Sequence, residues 1–241
     1  MSTKDKRYLM SKIKRLMLYI SPIEWALLFG SLGLILLSFL LFGGEDYLSL
    51  FASMLGVISL ILCAKGNPIG QMLIIIFGLI YAYISYTFSY FGELITYGLM
   101  TVPMAVLSLI SWLKNPHKGN HSEVEISAVT KREIPLIAVL SIGVTVAMYF
   151  ALRYLGTANL LLSTFSVFTS FIAVYLTYRR SPYFALAYAV NDVVLVSLWV
   201  LASFQDSSYV AVATCFGVFL INDIYGFINW QRIKKRQTDD A

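Results

Sequence analysis

Charge is what this sequence has least of. Only 13% of its 241 residues are Asp, Glu, Lys or Arg, against about 25% in an ordinary soluble domain. With 59% hydrophobic residues beside that shortage, a soluble fold is excluded, because a domain of this size could not hide so much apolar surface. Cysteine is scarce as well. Cys63 and Cys215 both fall inside apolar runs and read as small buried hydrophobes, so neither a disulfide framework nor a metal motif is implied. His117 and His121 share one charged loop. Their spacing suits one helical face, but no further ligand candidates accompany them, and solvated surface is the reading. The chain has no GxxxxGK[ST] phosphate loop, no H-E-x-x-H and no intramembrane histidine to pair with a serine. It is therefore not read as an enzyme, and no cofactor or metal is expected. The basic N-terminal stretch (Lys4, Lys6, Arg7, Lys12, Lys14, Arg15) is followed by no small-residue cleavage site, unlike a signal peptide.

What is present is a series of long apolar runs, at 23–42, 47–64, 69–88, 93–113, 133–154, 159–178, 182–203 and 208–230. Each is close to the roughly 20 residues that cross a bilayer core as a helix. The expectation is an all-α membrane protein with eight transmembrane helices. Residues 1–20 alternate basic and apolar positions, which suits a short amphipathic helix on the inner leaflet. Placing the N-terminus inside puts seventeen of the eighteen Lys and Arg residues on that side and leaves Arg153 near the outer face. The outer turns then hold Glu45, Asp46, Glu93 and Asp206. Both termini are accordingly expected in the cytoplasm. The net charge of +5 is thus a matter of topology, and no nucleic-acid partner is expected.

A weak internal repeat divides the chain further. Spans two to four end in Ser111-Trp112-Leu113-Lys114 and spans six to eight in Asn229-Trp230-Gln231-Arg232, and Pro68 and Pro182 stand in corresponding inner turns. The division is a basic amphipathic segment (1–22), an extra helix (23–42), a first three-helix repeat (43–114), an inner loop with a linker helix (115–158), a second repeat (159–231) and a basic cytoplasmic tail (232–241). Two like-oriented triplets are the parallel-repeat arrangement of some transporters, with substrate held near the midplane between the halves.

Asp192 and Asp223 lie inside spans, each directly after an asparagine, Asn191 and Asn222. An ionised Asp at a helix centre costs about 2.5–3.5 kcal/mol on insertion scales, so it must face the bundle interior, a partner or water. Such groups can serve as interhelical packing bonds or line a site. Tyr188, Asn191, Asp192, Leu195 and Trp199 form one stripe on the seventh span, and Asn222, Tyr225, Gly226 and Asn229 form one on the eighth, with Asp223 beside it. Gln71 and Tyr81 on the third span and Tyr97 and Thr101 on the fourth have compatible spacing, and Pro103 should kink the fourth and free a carbonyl. Such a lining suits a flat, polar ring, whether neutral or cationic. Tyr86, Tyr90 and Tyr209 read as interfacial belt residues.

The stretches Phe219-Leu220-Ile221-Asn222-Asp223-Ile224-Tyr225-Gly226-Phe227-Ile228-Asn229-Trp230 and Ala189-Val190-Asn191-Asp192-Val193-Val194-Leu195-Val196-Ser197-Leu198-Trp199 resemble the PnuC family of nicotinamide riboside transporters. Tyr90-Phe91-Gly92-Glu93, Pro103 and Trp112-Leu113-Lys114-Asn115 are similar to its first-repeat motif. The resemblance runs over about residues 47–235. It implies a three-plus-one-plus-three core preceded by an extra helix, related in fold to the SWEET sugar transporters. It further implies vitamin uptake by facilitated diffusion in a bacterial inner membrane, with retention through phosphorylation by a cytoplasmic kinase. Asn191 matches the family's seventh-span asparagine, and Asn222 with Asp223 matches the eighth-span pair. Where some members have tryptophans before the seventh-span asparagine, this chain has Tyr183, Phe184 and Tyr188; related members carry thiamine or riboflavin, and these stay open as substrates. So does a binding subunit of a larger energised transporter. The expected partners are the small-molecule substrate, membrane lipid and further copies of the chain in a homo-oligomer.

Overall fold

The computed structural model describes residues 19–42, 47–87, 94–157 and 159–240. Among them are eight helices long and apolar enough to cross a membrane. They are α1 (Pro22–Phe42), α2 (Tyr47–Ala64), α3 (Pro68–Thr87), α4 (a π-helical turn Thr96–Thr101 continuing as the α-helix Val102–Lys114), α5 (Glu133–Tyr154), α6 (Leu160–Tyr178), α7 (Phe184–Ser203) and α8 (Tyr209–Asp239). The expected N-terminal amphipathic helix lies almost wholly outside the described residues. Two short strands, β1 (Pro116–His117) and β2 (Asn120–Val124), pair antiparallel after α4. His117 and His121 are thus in a hairpin and not on one helical face, as their spacing alone suggested. The segment expected as a basic tail from residue 232 is helical, since α8 continues through it to Asp239.

The side chains are sorted for lipid. Large apolar residues such as Leu37, Leu40 and Leu41 on α1 and Val139, Ile142 and Phe150 on α5 point outward, whereas Ser31, Ser59, Gln71, Ser108, Ser141, Thr177, Asn191 and Asn222 are buried between helices. With no water to receive backbone groups at this depth, helices that satisfy their own are the available element. At the start of α1, Ser21 and Glu24 form a capping box: the Ser21 N–H donates to Glu24 Oε2 at 2.7 Å and the Glu24 N–H to Ser21 Oγ at 3.3 Å, with Pro22 set at the first turn. The same carboxylate accepts from Lys65 Nζ at 3.0 Å and from the Tyr225 hydroxyl at 3.0 Å, which ties α1 to α8 and to the α2–α3 turn.

Six helices close into a ring in chain order: α2 on α3, α3 on α4, α4 on α6, α6 on α7, α7 on α8, and α8 back on α2. Outside the ring, α1 packs on α2 and α8, while α5 packs on α6. The two halves of the ring contact each other reciprocally. Trp112 Nε1 on α4 donates to the Thr177 carbonyl at the end of α6 at 2.9 Å, and Trp230 Nε1 on α8 donates to the Cys63 carbonyl at the end of α2 at 2.8 Å. Beside them, Ser111 Oγ donates to the Tyr178 carbonyl at 2.9 Å and Asn229 Nδ2 to the Ala64 carbonyl at 2.8 Å. The turns that receive these bonds are alike. The Asn67 N–H returns to the Leu62 carbonyl and the Ser181 N–H to the Leu176 carbonyl, with Gly66 and Arg180 in the left-handed conformation at φ 68° and 57°; this is a Schellman ending.

Lys65, Lys114, Arg179, Arg180, the hairpin and the end of α8 all lie at one end of the bundle, called the basic end here. The hairpin straps that end: the Val124 N–H donates to the Gly66 carbonyl and the Ser127 N–H to the Arg180 carbonyl, one bond to each turn. The last turns of α8 hold the strap in place. Gln237 accepts from the Ile126 N–H at 2.9 Å and donates to the Val124 carbonyl at 3.0 Å, and Arg236 pairs with Glu123.

Candidate functional site

The ring encloses a cavity of about 440 Å³. Its wall reaches the α5–α6 and α7–α8 connections (Gly156, Thr157, Gln205) at the end opposite the basic one, and in the other direction it stops at Cys63, Gln71 and Phe184. Below that floor, Phe184, Trp112 and Trp230 interlock, with ring centroids 4.7 Å apart for Phe184–Trp230 and 5.4 Å for Trp112–Trp230. Val124 of the strap is buried against the same cluster. The cavity is therefore closed toward the basic end and approached from the other.

Eight of the twelve polar and aromatic side chains singled out in the sequence as a candidate lining face this space: Gln71, Tyr97, Thr101, Tyr188, Asn191, Asp192, Trp199 and Asp223. Asn191 is held by two hydroxyls on α6, Thr169 and Ser170, which donate to its Oδ1 at 2.8 and 3.0 Å. With the oxygen taken, the amide N–H groups are what Asn191 offers a ligand. Gln71 donates to Cys63 Sγ at 3.3 Å. Trp199 stands against Tyr209 at 5.3 Å between centroids, and its indole N–H, although buried, has no partner. Across the cavity the π-helical turn of α4 brings Thr96, Tyr97 and Thr101 to the wall, with Thr101 Oγ1 donating back to the Thr96 carbonyl at 3.1 Å. An interruption of this kind just before Pro103 is what a proline inside a span imposes, and π-turns gather at functional sites.

The other four residues stand elsewhere. Tyr81 supports the wall from behind, its ring 4.5 Å from that of Tyr97. The α8 stripe faces α1 and α2 and not the cavity, which corrects the expected placement. Asn222 Nδ2 donates to Ser31 Oγ at 2.9 Å, the Tyr225 hydroxyl to Glu24 and Asn229 Nδ2 to Ala64. Of the α8 residues singled out in the sequence, Asp223, one residue round the helix from Asn222, is the one that lines the cavity. The cavity also contains residues the sequence reading passed over. Tyr209, assigned there to the interfacial belt, is one, and Phe219 and the α6 hydroxyls Ser163, Ser166 and Ser170 are others. No periodicity marks them, since Tyr and Ser occur on most spans.

Electrostatically the cavity is one-sided. Among its described lining residues are two carboxyl groups, Asp192 and Asp223, and no Lys, Arg or His.

Comparison with known proteins agrees with this architecture. Over 219 residues the chain is 29% identical to the nicotinamide riboside transporter PnuC of Neisseria mucosa, covering 89% of this chain and 82% of that one. It is 22% identical over 194 residues to the protein of the same name from Haemophilus influenzae, covering 80% and 82%. Its fold matches a crystal structure of the vitamin B3 transporter PnuC with a TM-score of 0.76 at 27% identity, covering 90% of this chain and 94% of that one. Residues 46–232, which include the ring except the last seven residues of α8, match the family described as nicotinamide mononucleotide transporter. This multi-pass membrane protein belongs to that nicotinamide mononucleotide transporter family.

Proposed function

We propose that the chain takes up nicotinamide riboside by facilitated diffusion through the central cavity, and that the basic end of the bundle is cytoplasmic. The observation that carries this reading is the charge of the lining: among the described residues it has two carboxyls, several aromatic faces and no basic group. A pyridinium ring is attracted to aromatic faces and to carboxylate. The phosphate of a mononucleotide would instead need Arg, Lys or a helix N-terminus beside it, so the nucleoside fits better than its nucleotide. In this reading Trp199 and Tyr188 stack on the ring, Asn191 and Gln71 bond the polar edges, and Asp192 with Asp223 balances the charge. Tyr81, Asn222, Tyr225 and Asn229 position the helices that carry those groups. Uptake then needs the two halves to part at the basic end. Phosphorylation by a cytoplasmic kinase would retain the product in the cell, in a bacterial inner membrane and with the chain assembled as a homo-oligomer.

The test is binding to the purified chain and uptake into liposomes that contain no other protein. Nicotinamide riboside should bind and enter down its gradient, while the mononucleotide should do neither. Binding of thiamine or riboflavin in its place would overturn the substrate, and uptake that needs a second protein would overturn the carrier mechanism.

A further inference from the structure

We propose that Phe219, seated end-on over Gly56, is the specificity-determining wall of the cavity. Its ring fixes the room left for the ligand, and Gly56 fixes where that ring stands. Both residues line the cavity, Gly56 from α2 and Phe219 from α8. A Cβ at Gly56 would lie 2.6 Å from Phe219 Cζ and 3.3 and 3.5 Å from the two Cε atoms. Carbon atoms settle at about 3.5–4.0 Å, so the tip of the ring rests on backbone that only glycine leaves bare. Its flanks are taken as well. Phe77 stands edge-on to it at 6.2 Å between centroids and Phe216 at 5.8 Å. Phe77 is itself held edge-on to Tyr97 at 6.0 Å, the arrangement aromatic pairs favour. A side chain at position 56 would therefore drive the Phe219 ring toward its open side, which is the cavity.

The two halves of the ring of helices differ at this place. Gly56 stands six residues ahead of Leu62, whose carbonyl accepts the Schellman bond, and Ser170 stands six ahead of Leu176, its counterpart. Phe77 and Asn191 each stand nine residues after the proline of the matching turn, Pro68 and Pro182. In the second half these positions form a polar pair, with Ser170 Oγ donating to Asn191 Oδ1 at 3.0 Å. In the first half they hold a glycine and a phenylalanine, and Phe219 fills the space between. The closing order of the ring sets α2 across from α6, so a ligand bonded to the Asn191 amide has the Phe219 wall opposite. One wall reads hydrogen bonds and the other reads size. That the ligand is nicotinamide riboside rests on the function proposed above; the position of the wall does not.

The experiment compares two ligands alike in charge and carboxamide: nicotinamide riboside and its quinolinium counterpart, which carries one more fused ring. Binding of both, with thermal unfolding, is measured on the full-length purified chain, on Gly56→Ala, on Phe219→Leu and on the double variant. The unaltered chain should prefer the smaller ligand by about tenfold or more, the cost of overfilling a packed site. Gly56→Ala should weaken nicotinamide riboside about tenfold for the same reason. Leucine ends short of the ring tip, so Phe219→Leu should move the ratio of affinities about tenfold toward the larger ligand. In the double variant nicotinamide riboside should return to within about threefold of the unaltered chain. The proposal is overturned if the unaltered chain takes both ligands alike, or if Phe219→Leu leaves their ratio where it was. It is overturned equally if the double variant stays as weak as Gly56→Ala, which would give the glycine a purely structural role. Should Gly56→Ala fail to fold, the ratio in Phe219→Leu decides alone. Should the unaltered chain bind thiamine and not nicotinamide riboside, the substrate assignment fails, and the loss in Gly56→Ala and its recovery in the double variant are read with thiamine.

Discussion

Asn191 and Asn222 are the same side chain in similar sequence surroundings, each followed by an aspartate, yet they do different work. Asn191 has its oxygen fixed by Thr169 and Ser170 and its amide toward the cavity. Asn222 is buried against α1, bonded to Ser31 and to the Val218 carbonyl. Asn191→Ala should therefore weaken substrate binding about tenfold, the worth of one good hydrogen bond. Its thermal stability should change little, because Thr169 Oγ1 keeps the Phe165 and Ser166 carbonyls as acceptors. Asn222→Ala should be felt first as a loss of about 0.6–1.7 kcal/mol of stability, the range for interhelical polar bonds in membranes. Binding titration and thermal unfolding of both variants separate the two roles, and equal effects on affinity would show this assignment to be wrong. The need to hide these residues from lipid was legible in the sequence, because it follows from the cost of a polar group in hydrocarbon. Which neighbour each one faces was not. Positions three and four apart share a face, but nothing in one chain says where that face points. Adjacent residues are about 100° apart round a helix, so Asp223 could enter the cavity while Asn222 left it.

At the scale of the element, the ends of the helices decide which way the cavity opens. Trp112 and Trp230 each reach across to the first helix of the other half, and their rings meet Phe184. The matching Trp positions and the Pro68 and Pro182 turns were visible in the sequence as a repeat. The reciprocity of their bonds was not, since it depends on the ring closing α8 onto α2. Trp230→Phe keeps an aromatic ring and deletes the N–H, leaving the Cys63 carbonyl with the Gly66 N–H alone; losing the bond between the halves costs about 1 kcal/mol, or roughly a fivefold shift in population toward states open at the basic end. Cys63 is buried and unpaired with another cysteine, so its rate of modification by a small thiol reagent is the readout. That rate should rise several-fold in Trp230→Phe, and an unchanged rate would argue that the indole bond does not hold the floor shut. The strap is a second lock on the same end. Gln237 is its anchor, with bonds to Ile126, Val124 and Glu123. In Gln237→Ala, amide exchange over residues 120–127 should quicken by tenfold or more while exchange in α7 stays slow; equal rates in both would mean that the variant had loosened the whole bundle.

For the whole molecule, the distribution of charge, the number of helices and the direction of the cavity point to one orientation. Eleven of the twelve described Lys and Arg residues lie at one end of the bundle, and the proposed orientation, following the positive-inside rule, puts that end in the cytoplasm. The single linker α5 between the triplets makes them parallel, so both sets of Trp-capped turns fall at that same end. In the proposed orientation the cavity opens to the outside, where a scarce solute would enter. His121 on the hairpin and Ser207 in the α7–α8 connection are both exposed, at opposite ends of the bundle. In a background carrying Cys63→Ala and Cys215→Ala, a membrane-impermeant maleimide should label Ser207→Cys in intact spheroplasts. It should label His121→Cys only after the membrane is opened. Labelling of His121→Cys from outside would reverse the orientation, and with it the reading of the Trp112–Trp230 floor as the barrier that uptake must open last.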